Sequence, residues 1–302
     1  MKKRVIGIVG PTASGKTALS LMIGQRLHGE ILCMDSMQIY KGMDIGTAKP
    51  TQAEQALVPH HLHSFLEPTE SFSVSQYAQM ARDVIERVET PILVGGTGMY
   101  LQSLSLPMDY GAVGGDEEIR RKYHAIADTQ GVDALHQILE KVDPVSAARL
   151  HPNDVRRVVR ALEVYDLTGT PLSAQKMPEA EDAPYDFQLY ALDWAREILY
   201  QRVDQRVDQM MGEGLLEEVK RLKDSGIPAD AQSMQGLGYK ELLPVLDGTM
   251  ALSDAVSLIK LRTRHYAKRQ LTWFKRDGRI QWIPFTLGQN LEPIAEWIYD
   301  HV

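Results

Sequence analysis

The 302-residue chain contains one cysteine, Cys33. A single thiol excludes an internal disulfide and any zinc site built from several cysteines. Long apolar runs are missing too. The longest, such as Val5–Val9 and Pro91–Val94, are far too short to cross a bilayer. The N-terminus starts basic, but glycines and Lys16 interrupt it before the apolar stretch of a secretory signal develops. No internal repeat and no low-complexity tract occurs. Together these absences lead us to expect a cytoplasmic protein with no membrane partner. An excess of positive charge is also lacking: 33 Lys and Arg stand against 40 Asp and Glu, for a net charge of −7. Taken alone, that balance argues against a nucleic-acid partner.

What the chain does have is unevenly placed. From Lys260 to Arg279 the basic residues are Lys260, Arg262, Arg264, Lys268, Arg269, Lys275, Arg276 and Arg279, against the single acid Asp277. A second cluster, Arg149, Arg156, Arg157 and Arg160, lies mid-chain. Such patches can hold phosphates on an acidic protein, and they can equally be solvated helix faces.

The first third alternates short apolar runs with helical periodicity. Arg4–Val9 and Glu30–Met34 read as strands and Ser73–Val88 as a helix with a Ser73/Gln76 capping box. Pro91–Gly95 reads as a strand buried on both faces. From Asp116 to about Thr168 the signals are helical, with Gly169 as the stop. Met177–Pro184 reads as a linker. Phe187–Trp194 alternates like a strand, and Arg279–Ile283 reads as an edge strand. The fold class is therefore α/β: a P-loop NTPase-like parallel sheet core, residues 1–112 with 190–302, interrupted by a helical insertion, residues 113–189.

Gly10, Pro11, Thr12, Ala13, Ser14, Gly15, Lys16 and Thr17 match G-x-x-x-x-G-K-[ST] between a strand and an amphipathic helix. The glycines let backbone N–H groups turn around a phosphate, and the helix N-terminus adds partial positive charge. Lys16 would reach the outer phosphate oxygens, and the Thr17 hydroxyl would ligate Mg²⁺. The loop does not say which phosphate: nucleoside triphosphates are the usual guests, but a diphosphate with Mg²⁺ satisfies the same donors. Asp35 ends the second strand, at the sheet edge where open α/β folds bind ligands. It could hold Mg²⁺ through water, act as a general base, or simply cap the next turn. Ser36, Met37, Gln38 and Tyr40 follow, and the Ser and Gln side chains suit the edges of a nucleobase. The third strand ends in Gly95-Gly96-Thr97-Gly98 with no acid after it, which leaves Asp35 as the acid candidate and weakens an ATPase reading.

Taken together, GPTASGKT (Gly10–Thr17), DSMQIY (Asp35–Tyr40), GMDIGTAKP (Gly42–Pro50), PHHL (Pro59–Leu62), VGGTGMY (Val94–Tyr100), NDVRRVVRALEVY (Asn153–Tyr165), GYKE (Gly238–Glu241) and TRHYAKRQLTWFKR (Thr263–Arg276) resemble the tRNA dimethylallyltransferase (isopentenyltransferase) family in its bacterial form. The resemblance implies transfer of a dimethylallyl group from dimethylallyl diphosphate, with Mg²⁺, to N6 of the adenosine beside the anticodon. It implies Asp35 as general base and Thr17 as a contact to Mg²⁺ or diphosphate. Lys16 and Arg206 would neutralise the leaving group, and Thr97 would touch diphosphate or the incoming nucleotide. The segments implied to meet the tRNA anticodon stem-loop carry Asp35, Ser36, Met37, Gln38, Thr97, Arg120, Arg156, Arg157, Val158, Val159 and Arg160. We add Lys268, Arg269 and Gln270, on the basic segment from Lys260 to Arg279. A monomer is the expectation.

Two departures from the family pattern stand out. PHHL is followed by His63-Ser64 instead of an apolar residue and an acid, and no cysteine/histidine finger follows the last helix. His60, His61 and His63 do not have metal-site spacing. Trp273, Phe274 and Trp282 fit core packing better than base stacking. The rival reading is a small-molecule or nucleotide kinase with Asp116–Gly169 as its lid, revealed by ATP consumption. An RNA-binding module without chemistry would bind tRNA and turn nothing over.

Overall fold

The structure is a computed structural model and describes residues 2–105, 115–174 and 183–302. The change of character near Gly111 and most of the Met177–Pro184 linker lie outside the described residues. Contacts divide the chain into two compact units, Met1–Ser105 with Ala183–Val302, and Leu106–Asp182.

In the larger unit, β1 (Arg4–Val9) leads to α1 (Lys16–Leu27), β2 (Glu30–Cys33), α2 (Gln52–Leu57), β3 (His60–His61), α3 (Val74–Arg87), β4 (Pro91–Gly95) and α4 (Gly98–Ser105). The smaller unit holds α5 (Glu117–Gln130), α6 (Val132–Val142), α7 (Pro144–Arg149) and α8 (Val155–Thr168). The larger unit resumes with β5 (Asp186–Trp194), α9 (Arg196–Gly212), α10 (Leu215–Asp224), α11 (Tyr239–Leu246), α12 (Leu252–Phe274), β6 (Ile280–Phe285) and α13 (Glu292–His301).

The six strands form one sheet in the order β3-β2-β4-β1-β5-β6, and all pairings are parallel. Side chains alternate across a strand, so β1 sends Val5 and Val9 into one core and Ile6 and Ile8 into the other. The first core also takes Leu32, Leu93 and residues of α3, α10 and α11. The second takes Ile31, Ile92 and residues of α1, α9 and α13. This two-sided burial explains the continuous apolar strands. The smaller unit has its own core, built from Tyr123, Leu135, Leu139, Val158, Val159 and Leu162.

Local signals are realised where they were strong. Ser73 caps α3 with the reciprocal Gln76 bond, and Gly169 ends α8 at φ 68°. Weak signals fared differently. The two-residue β3 and short α2 carry no periodicity and were not anticipated. β6 continues through Pro284, which a buried central strand would not tolerate but an edge strand does. β5 starts at Asp186, one residue before the strand read from Phe187, and pairs with β1 from there, so a division at residue 190 falls inside the strand.

The register places the site. Val9 pairs with Gly95 and Cys33 with Val94, so β1, β2 and β4 finish side by side. Their carboxyl ends carry the phosphate loop, Asp35 and Thr97 to one edge.

Candidate active site

The phosphate loop is shaped by left-handed backbone at Gly10 (φ 129°), Ala13 (φ 61°) and Gly15 (φ 96°). At Ala13 this conformation costs about 1–2 kcal/mol. Side chains from distant elements hold it there. Arg202 Nε on α9 donates to the Ala13 carbonyl at 2.9 Å, and Trp194 Nε1 at the end of β5 donates to the Ser14 carbonyl at 2.9 Å. The Arg202 guanidinium itself lies 4.4 Å above the Trp194 ring. On the other side, the Thr12 N–H donates to Gln270 Oε1 at 2.9 Å. Ser14 Oγ is buried without a hydrogen-bond partner, the kind of orphan that a bound oxyanion would satisfy.

Lys16 opens α1 and donates from Nζ to the Pro11 carbonyl at 2.6 Å. Burial, and next the Arg206 charge, push its ammonium down to about 7, with Asp35 opposing. Burial likewise lowers Arg206 on α9, again against the pull of Asp35. Arg206 has no hydrogen bond or ion pair among the described residues. Two partly buried cations are thus held near each other and near the Asp35 carboxylate. That arrangement is costly alone and favourable once an anion arrives.

Asp35 uses one oxygen as a turn cap: Oδ1 accepts from the Met37 N–H at 2.8 Å and the Gln38 N–H at 3.3 Å. Thr97 is tied to the same segment. Its N–H donates to the Met34 carbonyl at 3.2 Å, and its Oγ1 accepts from the Ser36 N–H at 3.2 Å. Only glycine allows this approach at Gly95, where a Cβ would fall 2.0 Å from the Met34 oxygen. The Tyr266 phenol on α12 is pushed up by burial and then by the Asp35 carboxylate, and it neighbours Gln270 and Thr97.

Several expected site residues have other engagements. Gln38 Nε2 donates to the Thr47 and Ala48 carbonyls at 3.0 and 3.1 Å, and its Oε1 accepts from Cys33 Sγ at 3.2 Å. Gln270 is only 6% exposed, with its Nε2 donating to the Gly96 carbonyl at 3.0 Å. Val158 and Val159 are in the core of the smaller unit. An amphipathic helix buries one face and exposes the other, so these valines carry the packing while Arg156 and Arg157 face outward.

The basic clusters are largely neutralised. Lys260 pairs with Asp208 at 2.6 Å, Arg262 with Glu241 at 2.7 Å and Arg264 with Asp204 at 2.6 Å. Lys275 pairs with Asp193 at 3.3 Å and Arg279 with Asp277 at 2.5 Å. Lys268 and Arg269 are exposed and form no ion pair among the described residues, although Arg269 lies 5.7 Å from the centre of the Tyr266 ring. In the smaller unit the fully buried Glu163 binds Arg120 at 2.8 Å, Arg160 at 2.5 Å and the Asp116 N–H at 2.7 Å. Burial pushes its carboxyl up, but Arg160, the Asp116 N–H and Arg120 outweigh that and hold it below the usual range.

Glu218 went unnoticed in the sequence. Its carboxylate accepts from the Asp44, Ile45 and Gly46 N–H groups at 2.9, 2.9 and 3.1 Å and from the Tyr239 hydroxyl at 2.6 Å. It thereby anchors the GMDIGTAKP segment to α10 and α11. The available signal was its place on the buried face of an otherwise charged helix. The histidines have separate partners: His60 Nδ1 lies 2.7 Å from the Val58 carbonyl and His61 Nε2 lies 2.6 Å from Glu30. Among the described residues no three His, Cys, Asp or Glu side chains converge on a metal position. No helix among them is long and apolar enough to cross a membrane.

Comparison with known proteins agrees with this geometry. Residues 38–277 match the IPP transferase family, and residues 3–59 match an isopentenyl transferase family. A tRNA dimethylallyltransferase of Halalkalibacterium halodurans is 46% identical over 291 residues, covering 95% of this chain and 92% of the relative. One from Geobacter metallireducens is 47% identical over 289 residues, covering 94% and 93%. The crystal structure of the Bacillus halodurans tRNA isopentenylpyrophosphate transferase superposes with a TM-score of 0.74 at 42% identity, covering 99% of this chain and 95% of that one. A eukaryotic dimethylallyltransferase acting on tRNA superposes with a TM-score of 0.83 at 32% identity, covering 98% and 77%. With the phosphate loop, Asp35 and Thr97 on one sheet edge and these matches along its length, the chain belongs to the tRNA dimethylallyltransferase (IPP transferase) family.

Proposed function

We propose that this protein transfers the dimethylallyl group of dimethylallyl diphosphate to N6 of the adenosine beside the anticodon of tRNA. The observation that carries this reading is the gathering of the phosphate loop, Asp35 and Thr97 at the carboxyl ends of β1, β2 and β4, where the charges of Lys16 and Arg206 both act on Asp35. The loop N–H groups, Lys16 and Arg206 hold the diphosphate. The N6 lone pair forms a bond to the allylic carbon as the carbon–oxygen bond breaks, and that electron pair leaves with the diphosphate. Fixed positive charge stabilises such a leaving group more in the transition state than in the ground state. The N6 proton passes to Asp35. One of its oxygens is anchored by Met37 and Gln38, and Oδ2 accepts no hydrogen bond among the described residues.

The donor set fits Mg²⁺: the Thr17 hydroxyl makes no hydrogen bond among the described residues, and Ser14 Oγ of the same loop is buried and unpaired. Bound there with diphosphate, the ion would neutralise further leaving-group charge. A stacked adenine cannot reach Asp35, so the nucleotide turns out of the anticodon loop to meet the Asp35–Gln38 turn. Outward-facing Arg156, Arg157, Lys268 and Arg269 contact the RNA backbone.

Transfer of labelled dimethylallyl from its diphosphate with Mg²⁺, offered to unmodified tRNA, AMP and ADP in parallel, tests the reading. Label in tRNA alone is expected. Label in AMP or ADP would keep the chemistry and change the acceptor. No label, with ATP consumed, would replace this reading with a kinase.

A further inference from the structure

We propose that Gln270 is a positioning residue that locks the phosphate loop to the strand end carrying Thr97 and Asp35. It deepens the transfer reading above and rests on it for the catalytic part. The side chain comes from α12, far from both loops in sequence. Its amide is one bridge with two polarities: Oε1 accepts from the Thr12 N–H at 2.9 Å, and Nε2 donates to the Gly96 carbonyl at 3.0 Å. The contact is close enough that a Cβ at Gly96 would sit 2.1 Å from Nε2. From Gly96 the connection continues through neighbouring Thr97, whose Oγ1 accepts from the Ser36 N–H, to Asp35 itself. Leaving group and base are held on different loops, and the reaction needs them in a fixed relation. Gln270 ties those loops together from outside both. Its burial also separates it from exposed Lys268 and Arg269 on the same helix, whose chemistry suits RNA phosphates.

Serving both ends takes a donor and an acceptor on one planar group, which a primary amide supplies at every pH and a carboxyl only when protonated. Q270E keeps the acceptor for Thr12 but sets a carboxylate oxygen against the Gly96 carbonyl. Q270M fills the space and serves neither.

The test uses full-length wild type, Q270E and Q270M, each first checked by thermal melting. For Q270E we expect kcat to fall about 10- to 100-fold with tRNA affinity unchanged, since an unsatisfied buried group displaces the loop it should hold. Its deficit relative to wild type should shrink as pH falls from about 8 to about 5.5. A buried carboxyl takes up its proton above the usual carboxylate range and can then donate to Gly96. The ratio to wild type cancels titration of Lys16, Asp35, Tyr266 and other groups common to both proteins. Q270M should show a deficit that does not change with pH.

Hydrogen exchange with inorganic pyrophosphate reads the coupling without prenyl chemistry. Pyrophosphate should protect the backbone of residues 94–100 in wild type and not in Q270M. Equal protection in both proteins, kcat within about twofold of wild type, or a Q270E deficit constant with pH would overturn the proposal. A loss confined to tRNA affinity would do so too, by making Gln270 an RNA contact. If wild type protects residues 94–100 but labels no tRNA, the transfer reading fails while the coupling of the loops stands.

Discussion

The phosphate loop and the basic half of α12 both gather positive charge, and they arrange it in opposite ways. At the loop, Lys16 and Arg206 are half-buried near each other, form no ion pair among the described residues, and both feel the Asp35 carboxylate. Along α12, Lys260, Arg262 and Arg264 each meet an acid of α9 or α11. The run of cations prominent in the sequence is therefore mostly helix-to-helix packing. The two cations beside the phosphate loop are 190 residues apart and form no run at all. Charge marks a binding site when the fold leaves it desolvated and unmatched, and the count along the chain is a poor guide to that. The smaller unit repeats the lesson, because Arg120 and Arg160 converge on the buried Glu163 while Arg156 and Arg157 face solvent.

The sharpest way to break the comparison is to change the carboxylate whose charge acts on both Lys16 and Arg206. Asp35→Asn keeps an oxygen for the Met37 and Gln38 N–H groups, so the turn survives, but it cannot take the N6 proton. Single-turnover transfer should fall by about 10²- to 10⁴-fold while tRNA binding changes by less than about twofold. Turnover at the wild-type rate would remove Asp35 as the base and leave it a turn cap.

How far each feature was legible follows the same physics. The phosphate loop, the strand ends and the capped α3 were legible because each is written in contiguous residues with a local period or a steric requirement. Gln270, Glu218, Trp194 and Arg202 were not. Each acts on a backbone far away in sequence, and no local pattern distinguishes a glutamine that bridges two loops from one that faces RNA. Gln38 illustrates the same limit within a motif: its position was readable, but its amide is engaged by Thr47, Ala48 and Cys33. The ion pairs of α12 depend on Asp204 and Asp208, which lie one helical turn apart on α9, so the match exists only after the helices pack.

A second test sharpens the loop side of the comparison. In the ligand-free fold Lys16 loses its proton near about 7, against 10.5 in the unfolded chain. Between those values the unfolded chain holds the extra proton, so folding stability gains from this group as pH rises through the window and loses it as pH falls. A bound anion reverses the balance by restoring the ammonium. Above about pH 7, pyrophosphate binding should take up protons. Its affinity should weaken with pH by as much as about tenfold per unit, relative to Lys16→Met, which cancels the titration of pyrophosphate itself. Calorimetry in buffers of different ionisation enthalpy reads that uptake. Equal pH dependence in wild type and Lys16→Met would mean that the Lys16 ammonium stays charged without its ligand.

The smallest effects test the α12 side, and they separate two cations on one helix. Arg264 donates to both carboxylate oxygens of Asp204 at 2.7 and 2.6 Å, so its charge is already matched. Arg269 is exposed and forms no ion pair among the described residues, with the Tyr266 ring beside it. Replacing a phosphate contact lowers the slope of log affinity against log salt by about one, whereas replacing a half-exposed ion pair costs about 1 kcal/mol of stability or less. Arg269→Gln should therefore weaken tRNA binding about threefold and flatten its salt dependence, with the melting temperature unchanged. Arg264→Gln should do the reverse, lowering the melting temperature slightly and leaving the salt slope where it was. Fluorescence titrations of both variants at several salt concentrations decide it. Equal losses of slope would mean that paired cations reach the RNA as well, and the contrast between the loop and the helix would then be one of degree.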